Sequence, residues 1–420
     1  MPNVQEAIEA IDRGEIENGL SLLKKSRENA DHETLLEIAQ IYNELGFIQE
    51  ASDVAEELIA FYPEVDDLKL FAAELYIEME QEEEALHLLS SITSENERYL
   101  EALVLSADLY ERQGLSEVAE QKLLTAKRIA PNEPVITFGL GEFYLHHGNF
   151  NRSRIYYEEL IKAGHEDFNQ TPIHLRMAES LTGSGQFEEA LTYYEKGLQE
   201  ESNPDDWFGY ALTANRIGEH QKTIQALNHL KDLDPQYTTL YPTLAQAYEE
   251  EGALQEAMEA CLEGIRWDEF NDELYLQAGK LAFRLHDQGK GIELLKHAIS
   301  LNPSNTNAIS VLMEQYLQGG MYEAVTDLAG EVERYGDLPP GAIWKTAVAY
   351  RELEDDEHAL KKYVEAYTEL KDQPEFLEDY GWYSLEIGER ARAKELFSKT
   401  MAIDPDRLHL EEEINRLQDL

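Results

Sequence analysis

Two adjacent carboxylates and two adjacent phenols stand within one short stretch, GQFEEALTYYEKGL (185–198): Glu188, Glu189, Tyr193 and Tyr194. A carboxylate pair can divide general-acid and general-base roles, and a tyrosine pair can form a stacking surface. Other stretches raise similar questions. Glu82–Glu84 is a denser carboxylate run, and His146 and His147 are neighbouring imidazoles. GLGEF (139–143) brushes against a dinucleotide-binding fingerprint, and Cys261 is a lone thiol. Each has a plainer reading. Carboxylates on the outer face of a helix are solvated, without the desolvated cleft that separates their pKa values. Adjacent helical residues point about 100° apart, so the two histidines cannot readily share an ion. GLGEF lacks the third glycine and reads as two small residues at a tight helix crossing. Cys261 falls where comparable segments carry Leu or Tyr, which suits a buried apolar side chain. The signatures G-x-x-x-x-G-K-[ST], H-E-x-x-H and G-x-S-x-G do not occur. The expectation is a non-enzymatic protein with no catalytic residue, no metal and no cofactor.

Charge narrows the partners. The 420 residues carry 85 acids and 35 bases, a formal net charge of −50. Between Asp31 and Glu97, Lys69 is the only Lys or Arg. Such a surface repels phosphate backbones and anionic headgroups, so nucleic acid and membrane are disfavoured and a charge-steered partner should be basic. Hydrophobic residues make up 43 %, enough for a sizeable core. No apolar run approaches the roughly 18 residues of a membrane span, and the start MPNVQEAIEAID has no basic-then-apolar leader. A single cysteine suits a reducing cytoplasm, the expected location.

The elements that must position any site come from a repeat. Gly114, Gly148, Gly218 and Gly252 fall 34 residues apart in two pairs, with Gly185 between them. Spacing of this size signals stacked units. Units begin near residues 1, 32, 66, 100, 134, 171, 204, 238, 272, 305, 340 and 374, filling 1–405, and 406–420 reads as a charged, amphipathic capping helix. AGHEDFNQTP (163–172) lengthens the fifth unit, and Gly319 and Gly320 compete for the turn of the tenth. The first half of each unit has helical apolar spacing, as in Trp207, Tyr210, Ala211 and Ala214; a turn glycine follows, then a second helix that stops near proline, as at Pro131, Pro235 and Pro405. No stretch shows sustained strand alternation, so the fold class is all-α. Small residues such as Ala119, Ala190 and Ala393 belong at the helix crossings, where Ser153, Thr223 and Gly291 depart from alanine, while Glu80 and Glu354 replace the turn glycine.

With Ala39, Tyr42, Ala51 and Pro63 in one unit, and Ala107, Tyr110, Ala119, Leu123, Ala126 and Pro131 in another, the chain resembles the tetratricopeptide repeat (TPR) family. It also resembles acidic cytoplasmic TPR proteins of Bacillus-like bacteria. The resemblance implies a right-handed superhelical solenoid of about twelve helix-turn-helix repeats, its first helices lining a concave groove that takes a peptide. In that register Glu74, Asp108, Glu142 and Glu179 form an acid ladder, beside Val104, Phe138, Leu145, Leu175 and Phe208. Leu276, Phe283, Ile309, Tyr316, Trp344 and Trp382 continue the groove, with Lys280 and Arg351 as its few bases. The expected function is a protein-interaction scaffold or adaptor that binds a basic or amphipathic segment. The alternative is a peptide-responsive bacterial regulator of the pheromone-receptor type, which the absence of any stretch outside the repeats disfavours. The two-carboxylate clamp of chaperone-tail adaptors is disfavoured too, because the early groove positions carry no basic set.

Overall fold

The structure is a computed structural model that describes residues 4–28, 30–168, 170–199 and 202–418. It forms two compact units, Met1–Gln199 and Glu200–Leu420. The first unit is built from helix pairs: α1 (Val4–Asp12) with α2 (Ile16–Arg27), α3 (His32–Glu44) with α4 (Ile48–Phe61), α5 (Asp66–Glu78) with α6 (Glu82–Ser91), α7 (Tyr99–Arg112) with α8 (Ser116–Ile129), α9 (Pro134–His146) with α10 (Phe150–Lys162), and α11 (Ile173–Gly183) with α12 (Phe187–Gly197). The second continues with α13 (Pro204–Arg216) and α14 (His220–Leu233), α15 (Leu240–Glu250) and α16 (Leu254–Trp267), α17 (Asp272–Arg284) and α18 (Gln288–Leu301), α19 (Thr306–Gln318) and α20 (Tyr322–Val332), α21 (Pro340–Glu352) and α22 (Asp356–Leu370), and α23 (Pro374–Glu386) and α24 (Arg390–Ile403). Helix α25 (His409–Gln418) packs on α24 through the fully buried Leu410.

Turn torsion is set locally. Gly114 sits at φ +73° and Gly185 at φ +78°, and a Cβ at either would meet nothing, so the left-handed backbone rather than space selects glycine. Glu80, His286 and Glu354 take the same left-handed conformation at φ 58°, 63° and 58°. Glu80 and Glu354 are the two expected turn substitutions, and His286 is a third, at the turn after α17. In the turn after α19, Gly320 carries the positive φ of 67° while Gly319 stays right-handed at −83°. Gly320 is therefore the turn residue of that pair.

Close crossings explain the small residues. Ala119, Ala190, Ala257, Ala359 and Ala393 are fully buried. Where alanine is replaced, the structure compensates. The buried Ser153 hydroxyl lies 2.8 Å from that of Ser180, and Thr223 donates to the Glu219 carbonyl at 3.2 Å. Gly291 lies under the Phe283 ring, which a Cβ would approach to 2.6 Å. The expectation for GLGEF holds for only one of its glycines. A Cβ on Gly141 would come within 2.6 Å of the buried Tyr157 ring, whereas one on Gly139 would lie 3.9 Å from Leu123. The lengthened stretch also departs from helix. Strands β1 (Asp167–Phe168) and β2 (Thr171–Pro172) pair antiparallel, with Phe168 opposite Thr171.

Candidate functional site

Candidate site residues lie on the first helices of the pairs, one set in each unit. In the first unit, α9 places Phe138, Glu142 and Leu145 four and three residues apart, hence on one helical face. Phe138 is half-buried, and Phe168 of the hairpin stacks on it at 4.6 Å between ring centroids. Leu145 is half-buried against the Tyr157 cluster, and Val104 on α7 likewise packs on the core behind it. Glu142 accepts a 2.6 Å hydrogen bond from the Tyr157 hydroxyl and forms an ion pair with Arg176 at 3.3 Å. Arg176 also donates to Glu179 at 2.7 Å. Burial disfavours the charged Arg176, but Glu179 and Glu142 outweigh it and raise its pKa. Burial, reinforced by Glu142, pushes the Tyr157 phenol well above its usual range.

The acid ladder is thus partly neutralised from within. Asp108 pairs with Arg112 one turn along its own helix at 2.8 Å. Glu74 is half-buried; desolvation, then the nearby Glu101, raises its pKa despite Arg98. Arg176 was missed in the sequence, although its spacing three residues before Glu179 is a recognisable helical ion-pair signal. Phe168 had no such signal, because the insertion has no counterpart in other units.

In the second unit the site is organised by Asp379 on α23. Its carboxylate accepts from Trp344 Nε1 at 2.6 Å, the Tyr363 hydroxyl at 2.7 Å and Arg351 at 3.2 Å. Arg351 also engages Glu386. Trp344 meets Phe376 edge-on at 5.6 Å, and Trp382 lies against Phe397 at 4.9 Å. Both tryptophans are half-buried, as are Phe208, tilted on Tyr237 at 5.2 Å, and Phe283. Lys280 is exposed. Asp379 was not singled out by the sequence, since an aspartate on an acidic chain does not advertise the three donors that converge on it.

Four of the expected groove residues are corrected to core. Leu175, Leu276, Ile309 and Tyr316 are 2 %, 0 %, 1 % and 3 % exposed. Leu175 fills the space left by Gly197, where a Cβ would lie 2.8 Å from its Cγ. Leu276, Ile309 and Tyr316 belong to one buried cluster whose residues run from α17 to α24.

The chemistry-bearing residues disperse. Glu188 and Glu189 are exposed at the start of α12, whose dipole favours them there, whereas Tyr194 is buried. His146 and His147 are exposed; His147 lies 2.8 Å from the Phe143 carbonyl and 2.9 Å from the Ser116 hydroxyl. Cys261 is fully buried, which pushes its thiol up to about 12, away from the thiolate that nucleophilic chemistry needs. Among the described residues no three His, Cys, Asp or Glu side chains are arranged to hold a metal, and no helix is long and apolar enough to cross a membrane.

Comparison with known proteins agrees with the repeat pattern. Residues 111–165 match a model described as YpiA-like tetratricopeptide repeats, and 340–407 match its C-terminal counterpart. Residues 239–271 match a general tetratricopeptide repeat, and 3–114 match the ARM repeat of tetratricopeptide repeat protein 21. The chain is 39 % identical over 416 residues to the TPR repeat-containing protein YpiA of Bacillus subtilis, covering 99 % of this chain and 98 % of that one. A TPR repeat-containing protein of Methanocaldococcus jannaschii is 22 % identical over 61 % of this chain and 43 % of its own. Among solved structures, YrrB, described as a TPR protein with an unusual peptide-binding site, is similar at 16 % identity and a TM-score of 0.40, over 44 % of this chain and 95 % of its own.

Proposed function

The chain belongs to the YpiA-like family of tetratricopeptide-repeat proteins, and from that premise we propose that it is a non-enzymatic scaffold or adaptor whose first-helix surfaces bind a basic or amphipathic segment of another protein. In this reading its helix pairs are twelve repeats over 1–405, closed by a capping helix over 406–420. One observation carries the proposal: Phe138, Phe208, Phe283, Trp344 and Trp382 are half-buried on first helices, and the two tryptophans donate to the carboxylates of Asp379 and Glu378. Rings held by their neighbours offer contact area at little entropic cost, which suits interface anchors. Around Phe138 the carboxylates of Glu142 and Glu179 outnumber the one guanidinium between them, and this supports a basic partner over an acidic one. The single cysteine supports a reducing, cytoplasmic setting.

The test is recovery of a partner from extracts of the native cell, with the captured protein identified and its affinity measured. Phe138→Ala in the first unit, and Phe208→Ala, Trp344→Ala and Trp382→Ala in the second, should each weaken that affinity about tenfold while leaving helical content unchanged. Affinity for the quadruple variant equal to that of the native chain would refute the first-helix surface. A salt-independent complex would remove the electrostatic part of the reading.

A further inference from the structure

We infer that the first unit carries a second docking site, on its second-helix side, where a cleft between α4 and α6 receives a basic amphipathic helix of a partner protein. The cleft encloses about 450 Å³, with Ile59, Tyr76 and Leu88 on its floor and Glu56, Glu83 and Glu84 on its rim. That volume lies within the range of built binding sites, roughly 300–1,000 Å³. The walls of the cleft come from the last turns of α4, with Glu56, Ile59 and Ala60, and from the first two turns of α6, with Tyr76 contributed by α5.

Charge selects the occupant. Lys69 is the only Lys or Arg between Asp31 and Glu97, and it is held by Asp66 at 2.7 Å with its side chain 13 % exposed. From the flanking elements, Arg27 engages Glu57, and Arg98 engages Asp67 and Glu101; none of these residues lines the cleft. Three carboxylates thus surround an apolar floor without a base of the chain's own. Glu56 accepts from the Tyr76 hydroxyl, which holds one carboxylate directly over the floor. His87 also lines the cleft. A helix with leucine or isoleucine on one face and lysine or arginine three or four residues away meets both demands: the apolar side chain fills the floor and the cations reach the rim. This site uses none of the first-helix aromatics, so it stands or falls separately from them.

The test uses the full chain and a fluorescently labelled synthetic helix with leucine on one face and lysine on the other. Ala60→Trp fills the cleft without changing charge, and Ala60 is exposed. Glu83→Lys with Glu84→Lys inverts the rim. Glu117→Lys with Glu188→Lys, exposed positions elsewhere in the same unit, is the charge-matched control. The cleft-filling and rim variants should each weaken binding about tenfold, the control less than about twofold, and the peptide with serine in place of leucine should lose affinity to a similar degree. Undiminished binding by Ala60→Trp, or equal losses from rim and control reversals, would overturn the site in favour of diffuse charge attraction. If circular dichroism shows Ala60→Trp to be misfolded, the rim and control reversals decide the matter by the same criterion.

Discussion

Gly139→Ala and Gly141→Ala make the same chemical change two residues apart on α9, and the structure assigns them opposite signs. In a helix interior, replacing glycine by alanine gains about 1 kcal/mol from reduced backbone freedom in the unfolded chain. At Gly139 the new Cβ would lie 3.9 Å from Leu123, an ordinary contact, so the gain survives. At Gly141 it would lie 2.6 Å from Tyr157 Cε1 and 2.8 Å from Cζ. Tyr157 is fully buried, and its hydroxyl is tied to Glu142 at 2.6 Å, so the ring cannot step aside without loss. Overpacking of this kind costs about 1–3 kcal/mol. Subtracting the helix gain leaves Gly141→Ala destabilising by about 0–2 kcal/mol and the two variants separated by about 1–3 kcal/mol. Urea unfolding of the full chain, followed by circular dichroism, reads the difference as opposite shifts in midpoint. Tyr157→Leu should relieve the clash, so the double variant with Gly141→Ala should be less destabilised than the two single changes summed. Equal midpoints for the two alanine variants, or a more stable Gly141→Ala, would refute the reading of α9 and α10 as a crossing set by glycine.

Three further outcomes follow from the geometry. Glu80→Gly, His286→Gly and Glu354→Gly relax left-handed residues, and each should raise the thermal midpoint by the equivalent of about 1 kcal/mol; a lower midpoint would show that the native side chains make compensating contacts. Asp379→Leu strands the Trp344 indole N–H and the buried Tyr363 hydroxyl, and should cost about 2–4 kcal/mol with a changed Trp344 emission, whereas Asp379→Asn, which keeps an acceptor, should cost less. Acid should loosen the terminal helix first. Burial opposes ionisation of Glu378, but hydrogen bonds from His409 and Arg407 hold its carboxyl below the ordinary 4.5. A depressed folded-state pKa contributes stability above the unfolded value that is lost as pH falls through the folded one. Hydrogen exchange of α25 should therefore accelerate below pH 4.5 ahead of α24, and simultaneous exposure of both helices would count against this contact.

Much of this architecture is written in local rules. Glycine at a left-handed turn, proline after a second helix and alanine at a crossing follow from torsion and size, and the 34-residue spacing repeats them often enough to identify paired helices. Even the departures were legible as positions: Glu80, Glu354, Ser153, Thr223 and Gly291 all fall where the repeat predicts them. What the repeat could not convey was depth. Leu175 and Phe138 read as equivalent groove positions, yet the leucine is buried and the ring is only half covered, because each meets different neighbours: Leu175 fills the space left by Gly197, while Phe138 stacks on Phe168.

The sequence by itself determined the helices, their pairing and the acidic, base-poor character of residues 31–97, since these depend on neighbours along the chain. Tertiary structure decided which charges remain open. Arg176 bridges two ladder carboxylates, Asp379 gathers three donors, and α4, α5 and α6 together line an apolar floor beside three glutamates. Each of these joins side chains from different helices, whose separation is set by packing and not by any spacing along one strand of sequence.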